Sequence, residues 1–267
     1  KIFKNKYKKK FLHQLVSSQL DMDRLDYLNR DSFYSGVQEG VIGTERIINM
    51  LNIVDDNLVI EEKGTYSIEK FLIARRLMYW QVYLHKTVLS AENTLIKVLK
   101  RAKELINEKK YIFTTPALLF FLENNITKNK LEEDNSLLRK FAELDDHDIY
   151  TCLKQWINNK DIVISKLSDS IVNRRLLKVK ISNKPFSKKL ILEKKKSIMR
   201  NFGININLAD YFVFSDKISN RAYFNGKSDI NILLKDGSIR KLRYSSDLNL
   251  GQVLSKKIDK FFLCFLT

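Results

Sequence analysis

Residues 17–36 read SSQLDMDRLDYLNRDSFYSG, and the placing of their charges, rings and leucines governs how the rest of the chain is read. Asp23, Tyr27 and Asp31 stand at i, i+4 and i+8, so on a helix they share one face. Leu20, Leu25 and Leu28 fall on other faces, where they can anchor the helix to a core. An acid, a ring and a second acid in a row offer a metal ligand, a stacking surface and a hydrogen-bond acceptor. The same spacing also describes a solvated helix carrying Asp26–Arg30 and Asp23–Arg24 as surface pairs, each contributing at most ~1 kcal/mol. Spacing alone favours this plainer reading.

A second stretch changes the balance. Residues 69–86 read EKFLIARRLMYWQVYLHK. Arg75, Tyr79 and Tyr83 repeat every fourth residue and Lys86 follows three later. On a helix they form a cationic and aromatic stripe roughly 16 Å long, close to the length of a nucleoside triphosphate. The alternative is a core helix whose tyrosines reach out past apolar neighbours and whose arginine is paired.

The pattern D-x-D-R-x-D-Y-L-x-R-D, from Asp21 to Asp31, closely resembles that of the HD-domain phosphohydrolases, nearest to the deoxynucleoside triphosphate triphosphohydrolase branch. Residues 69–86 are similar to that family's nucleotide-binding helix. NRRLLK at 173–178 resembles the basic strand opening its C-terminal lobe. The likeness runs from about residue 12 to the C-terminus. It implies a divalent metal (Mn, Fe, Mg or Zn) that polarises the α-phosphate and helps deliver water, so that a dNTP yields a deoxynucleoside and triphosphate. By position, Asp23 matches the last metal-ligand Asp and Arg24 a basic residue near the phosphates. Tyr27 matches a ring beside the nucleotide and Asp31 an acceptor near the sugar. Arg75 matches a phosphate-binding Arg and Tyr83 the sugar-side Tyr, while Tyr79 stands where relatives can carry His. His85, Lys86 and Arg174 are candidates for a regulatory nucleotide held between subunits.

The family's metal site uses a His, then a His-Asp pair, then an Asp. Here the histidines are His13, His85 and His147. Only His13 precedes Asp23, and ten residues along a continuous helix it lies on a different face from that residue. His147–Asp148 comes afterwards, in FAELDDHDIY, where the acids read as a helix start. The expectation is a fragment that begins at Lys1 inside an HD domain, with most of the metal shell and the activity belonging to the parent protein.

Lys and Arg outnumber Asp and Glu by 48 to 31, for a net charge of +17. That implies a polyanionic partner, or simply the Lys, Ile and Asn richness of an AT-rich gene. Residues 174–200 hold eleven Lys or Arg against the single acid Glu193, a cluster suited to phosphates of nucleotide or single-stranded nucleic acid. No apolar run reaches the length of a membrane span, and Cys152 and Cys264 are too few for a disulfide framework. A cytoplasmic setting is expected, and the family resemblance together with the basic lobe implies a homo-oligomer.

Helical periodicity marks 12–30, 43–51, 67–86, 88–108, 116–124, 134–143, 147–158 and 161–172, with a small hairpin at 57–67 around Gly64. After residue 173 the period shifts. Strands are expected at 175–181 and 211–215, and a basic helix at 186–202. A hairpin turning at Asp236-Gly237, a helix over 246–259 and a buried strand at 261–266 complete the reading. The fold class is therefore mainly α. A multi-helix HD-type body, incomplete at its N-terminus, spans 1–172, and a basic α+β lobe spans 173–267. Two rival functions stand beside the dNTP reading. One is an HD phosphohydrolase on another nucleotide or phosphoester. The other is a non-enzymatic module binding nucleotide or single-stranded nucleic acid.

Overall fold

A computed structural model describes residues 1–220, 223, 229–245 and 254–267. The fold is mainly helical with short strands. In chain order the elements are α1 (Lys10–Val16), α2 (Met22–Ser35), α3 (Thr44–Asn49), β1 (Leu51–Val54), β2 (Asn57–Glu61), α4 (Thr65–Met78) and α5 (Lys86–Asn107). Then come α6 (Pro116–Glu123), α7 (Lys128–Glu133), α8 (Asn135–Glu143), α9 (Asp146–Trp156), α10 (Ile162–Val172) and β3 (Lys178–Ser182). They are followed by α11 (Lys188–Phe202), α12 (Ile206–Ala209), β4 (Val213–Asn220), β5 (Asn231–Leu233), β6 (Ile239–Lys241), α13 (Leu242–Ser245) and β7 (Ile258–Phe265). No described helix is long and apolar enough to cross a membrane.

Contacts group the chain into two compact units: 1–85 with 218–259, and 86–217 with 260–267. The boundary expected at 172/173 follows the change in secondary-structure period, which is a different criterion.

In the first unit the expected helix over 12–30 is two helices, and Asp21 is the reason. Its carboxylate accepts from Arg24 N at 2.9 Å and Ser18 N at 3.3 Å, so it caps α2 and folds the preceding turn back. Gly36, at φ 72°, ends the helix in the left-handed conformation that glycine adopts without strain. Leu25, Leu28, Ile47, Ile68, Phe71 and Met78 are fully buried in one core. Gly40 sits where a Cβ would meet Met78 Sδ at 2.7 Å and Ser32 Cβ at 2.9 Å, so only glycine fits that close approach.

The hairpin expected around Gly64 lies earlier. β1 and β2 pair antiparallel across Asp55-Asp56, both at positive φ (47° and 59°), which is the twist two-residue hairpin turns require. The expected 230–244 hairpin is present as β5 and β6, and Gly237 has φ 82°. β5 also pairs with β2 in parallel, Ile60 opposite Ile232, giving the sheet order β1-β2-β5-β6. Most of the helix expected over 246–259 lies outside the described residues, and 258–259 belong to β7.

In the second unit α5 packs on α10, α9 and α10 pack together, and β3 runs along α5. Val98, Ala102, Cys152, Trp156, Ile164 and Leu167 are buried. Trp156 Nε1 donates to Phe113 O at 2.7 Å, and Ser90 Oγ donates to Leu177 O at 2.8 Å. A three-stranded sheet runs β3-β7-β4, with Val179 opposite Cys264 and Ile181 opposite Phe262. Phe262 to Phe265 are all buried, as a final core strand requires. The polar stretch around 124–136 contains α7, capped by Thr127.

Arg101 is the principal buried charge of this unit. Its Nε and Nη2 donate to Asp161 Oδ2 at 3.1 and 2.7 Å, and Nη1 donates to Glu104 at 3.1 Å. The same Asp161 caps α10 by accepting from Val163 N and Ile164 N. Burial alone would raise this carboxyl, but Arg101 and the two backbone donors outweigh it and hold the pKa below the ordinary aspartate value.

Candidate functional site

The residues singled out on α2 and on 75–83 belong to the first unit, and several of them meet. The connection is made by Tyr83. Its hydroxyl donates to Asp31 Oδ2 at 2.6 Å, joining the end of α2 to the segment after α4. The Tyr83 ring stands edge-on to Tyr27 at 5.8 Å and to Tyr79 at 5.3 Å between centroids. Arg75 Cζ lies 5.9 Å from the Tyr79 ring centre.

The helix expected to continue to residue 86 changes character at Met78. Tyr79–Tyr83 form a π turn, closed by Leu84 N donating to Tyr79 O at 2.7 Å. Such turns are found mostly as single insertions in α-helices, often at functional sites. Here both tyrosines of the turn belong to the cluster.

The electrostatics are asymmetric. Arg75 is only 4% exposed, and its Nε and Nη1 are buried without a hydrogen-bond partner. A buried guanidinium with idle donors is costly in the free fold and is well disposed to meet an anion. Tyr83 is held far above the ordinary phenol pKa, by burial first and then by its bond to Asp31 and that carboxylate's charge. Tyr27 is also raised, chiefly by burial and then by Tyr79, against the opposing pull of Arg75 and Arg24. Both phenols therefore remain hydrogen-bond donors at neutral pH.

The other expected residues are placed differently. Asp23 is exposed in the first turn of α2. Arg24 Nη1 pairs with Asp21 and donates to Ser18 O at 2.6 Å, so that end of the guanidinium pins the turn before α2. His85, Lys86 and Arg174 are exposed, Arg174 with φ 54°. His13 Nδ1 lies 3.1 Å from Ile2 O. Asp145 and Asp148 form a capping box on α9, as the acids around His147 implied. In the second unit some of the basic cluster is already engaged: Lys195 pairs with Asp210 at 2.6 Å, and Lys194 lies 4.5 Å from the Phe265 ring centre. The residue missed in the sequence is Asp21, whose signal was an Asp three residues before the amide it caps.

Among the described residues no group of three or more His, Cys, Asp or Glu can hold a metal ion. Asp23 offers one carboxylate, which is not a metal centre.

Residues 42–115 match the model of the HD associated region, a span that includes α4 and the π turn. The chain is 50% identical to a phosphohydrolase from Bacteroides thetaiotaomicron, whose crystal structure superposes with a TM-score of 0.92 over 100% of this chain and 66% of that one. These similarities support kinship with the HD-domain phosphohydrolases. The chain is also 32% identical to the uncharacterized protein YwfO of Bacillus subtilis, over 90% of its own length and 54% of that protein's. A 139-residue stretch is 25% identical to the deoxynucleoside triphosphate triphosphohydrolase SAMHD1 homolog of Dictyostelium discoideum, covering 48% of this chain and 27% of that protein. The chain thus spans about half to two thirds of its two more extensive matches.

A hydrogen bond from a neutral donor to a charged acceptor contributes about 1.5–3 kcal/mol. Tyr83→Phe is therefore expected to lower stability of the first unit by about 1.5–3 kcal/mol while keeping the ring contacts. Urea denaturation of the two proteins measures the difference, and equal midpoints would show that the Asp31 bond contributes nothing net.

Proposed function

We propose that a protein of these relatives' length that contains this chain is a metal-dependent hydrolase of deoxynucleoside triphosphates that releases deoxynucleoside and triphosphate. The observation that carries the reading is the buried Arg75 with its idle donors, set beside the Tyr79–Tyr83–Asp31 cluster. In this reading Arg75 binds the phosphates. Tyr83 and Asp31 meet the sugar, and Tyr27 and Tyr79 offer ring faces and edges to the nucleoside. Arg24 keeps the α2 N-terminus in place, which fixes where Asp23 stands.

HD phosphohydrolases generally use divalent metals, and Asp23 would supply one ligand. The donors described here do not complete a metal site, so no reaction step is assigned to the metal. A homo-oligomer is part of the proposal, with exposed His85, Lys86 and Arg174 as its candidate nucleotide contacts.

The test is triphosphate release from each of the four dNTPs by the longer protein with Mn or Mg. Metal-dependent release is expected, and Asp23→Ala should reduce it by about three orders of magnitude or more. Undiminished turnover in Asp23→Ala would remove that residue from the metal site. No release from any dNTP would sink the substrate assignment and favour another phosphoester.

A further inference from the structure

In the first unit, the first twenty residues, β2 and the start of β5 line an open cavity of about 360 Å³. It shares no lining residue with the set of Asp23, Tyr27, Asp31, Arg75 and Tyr83. Its size falls in the range of small-molecule sites. Leu20, Leu58, Ile60 and Ile230 give it an apolar wall, and Asn5, Ser17 and Asn231 add amides and a hydroxyl. Two further polar side chains are half-committed. Gln14 Oε1 accepts from Leu58 N at 2.7 Å, which leaves its amide N–H groups to donate. Asn57 Nδ2 donates to Asp55 O at 2.8 Å, which leaves its carbonyl to accept.

The charge of this wall sets the ligand class. Among the described lining residues there is no Lys or Arg, and the one histidine, His13, has its Nδ1 3.1 Å from Ile2 O. Its one acid, Asp229, is met by the Tyr223 hydroxyl at 3.2 Å and by Lys241 Nζ at 3.1 Å. A phosphate would lose its hydration here without gaining a Lys or Arg partner. A bare metal ion would meet a carboxylate already neutralised. Donors and acceptors around an apolar wall fit a flat, uncharged heterocycle with a hydroxyl-bearing ring attached.

We propose that this cavity binds uncharged nucleosides, at a site separate from the Arg75–Tyr83 cluster. The base lies against Leu58 and Ile230 and is read by the amides of Gln14 and Asn231. Ser17 and Asn57 meet the sugar hydroxyls.

Equilibrium dialysis of the 267-residue chain against adenosine and deoxyguanosine, their triphosphates and free ribose tests the assignment. A nucleoside Kd on the order of 0.1 mM is expected for a ligand of this size. The triphosphates should bind this site about ten-fold or more weakly, and ribose should not saturate it. Ser17→Tyr narrows the cavity from an exposed position, and Asn231→Leu removes an amide at similar volume. Each should weaken nucleoside binding by about ten-fold or more, while Asp23→Ala leaves it unchanged. The proposal is overturned by no saturable nucleoside binding at millimolar concentration, or by ribose binding as tightly as the nucleoside. It is equally overturned if nucleoside binding in both cavity variants matches the parent chain. Triphosphates binding more tightly than nucleosides, with loss in the cavity variants, would make it an anion site instead. Loss of dNTP hydrolysis in Asp23→Ala with nucleoside binding intact separates this site from the proposed reaction.

Discussion

Arg75→Ala is expected to weaken triphosphate binding, or its transition-state stabilisation, by about 30- to 1000-fold, corresponding to about 2–4 kcal/mol of charge-assisted hydrogen bonding. The same change should leave the melting temperature equal or higher. Arg75 is buried in the free fold with two idle nitrogens, so its removal relieves a desolvation cost as well as opening space. Arg75→Lys keeps the charge but loses the fork, and should fall between the two. Isothermal titration with a dNTP, beside thermal melts of the same samples, reads both quantities. A variant that melts much lower and binds normally would make Arg75 a structural residue and end its assignment to the phosphates.

Asp161→Ala should give the largest loss of stability, about 3–5 kcal/mol. It removes the α10 cap and deprives a guanidinium that is 9% exposed of two of its hydrogen bonds. Glu104 still reaches Arg101, which keeps the loss from being larger. The double variant Arg101→Met with Asp161→Ala should be less destabilised than the two single changes summed. Because the folded-state pKa of Asp161 is depressed, its contribution is present above the unfolded value of about 4 and is lost as pH falls through the folded value. Acid titration followed by circular dichroism should therefore show a shallower decline in the variant. Additive single changes would show that the pair does not act together.

Much of the helical content could be read from periodicity, because α4, α5, α9 and α10 each bury a face at helical spacing. The grouping of Asp31 and Tyr83 was legible only as two separate spacings. What joins them is a contact across 52 residues, which no local pattern reports. The π turn was invisible for a related reason: the i+4 repeat of Tyr79 and Tyr83 looks the same whether the backbone is wound as α or slightly wider. The break at 17–21 was in principle readable from Asp21, but the leucine pattern ran across it and hid the cap. The parallel pairing of β2 with β5 could not be anticipated, since each strand read as half of its own hairpin. The cavity of the first unit escaped notice because its walls come from three distant stretches.

That parallel pairing also bears on synthesis. β2 cannot gain its second neighbour until β5 has been made, roughly 170 residues later. At ~5–20 residues per second this is a wait of about ten to thirty-five seconds on the ribosome. Through that interval the nascent hairpin carries an open edge, the kind of surface that pairs with other chains. The second unit is made within that period, and by its end lacks only its last strand, β7. Slowing translation should therefore expose this edge for longer, and the yield of soluble protein should follow the speed at which residues 86–230 are made.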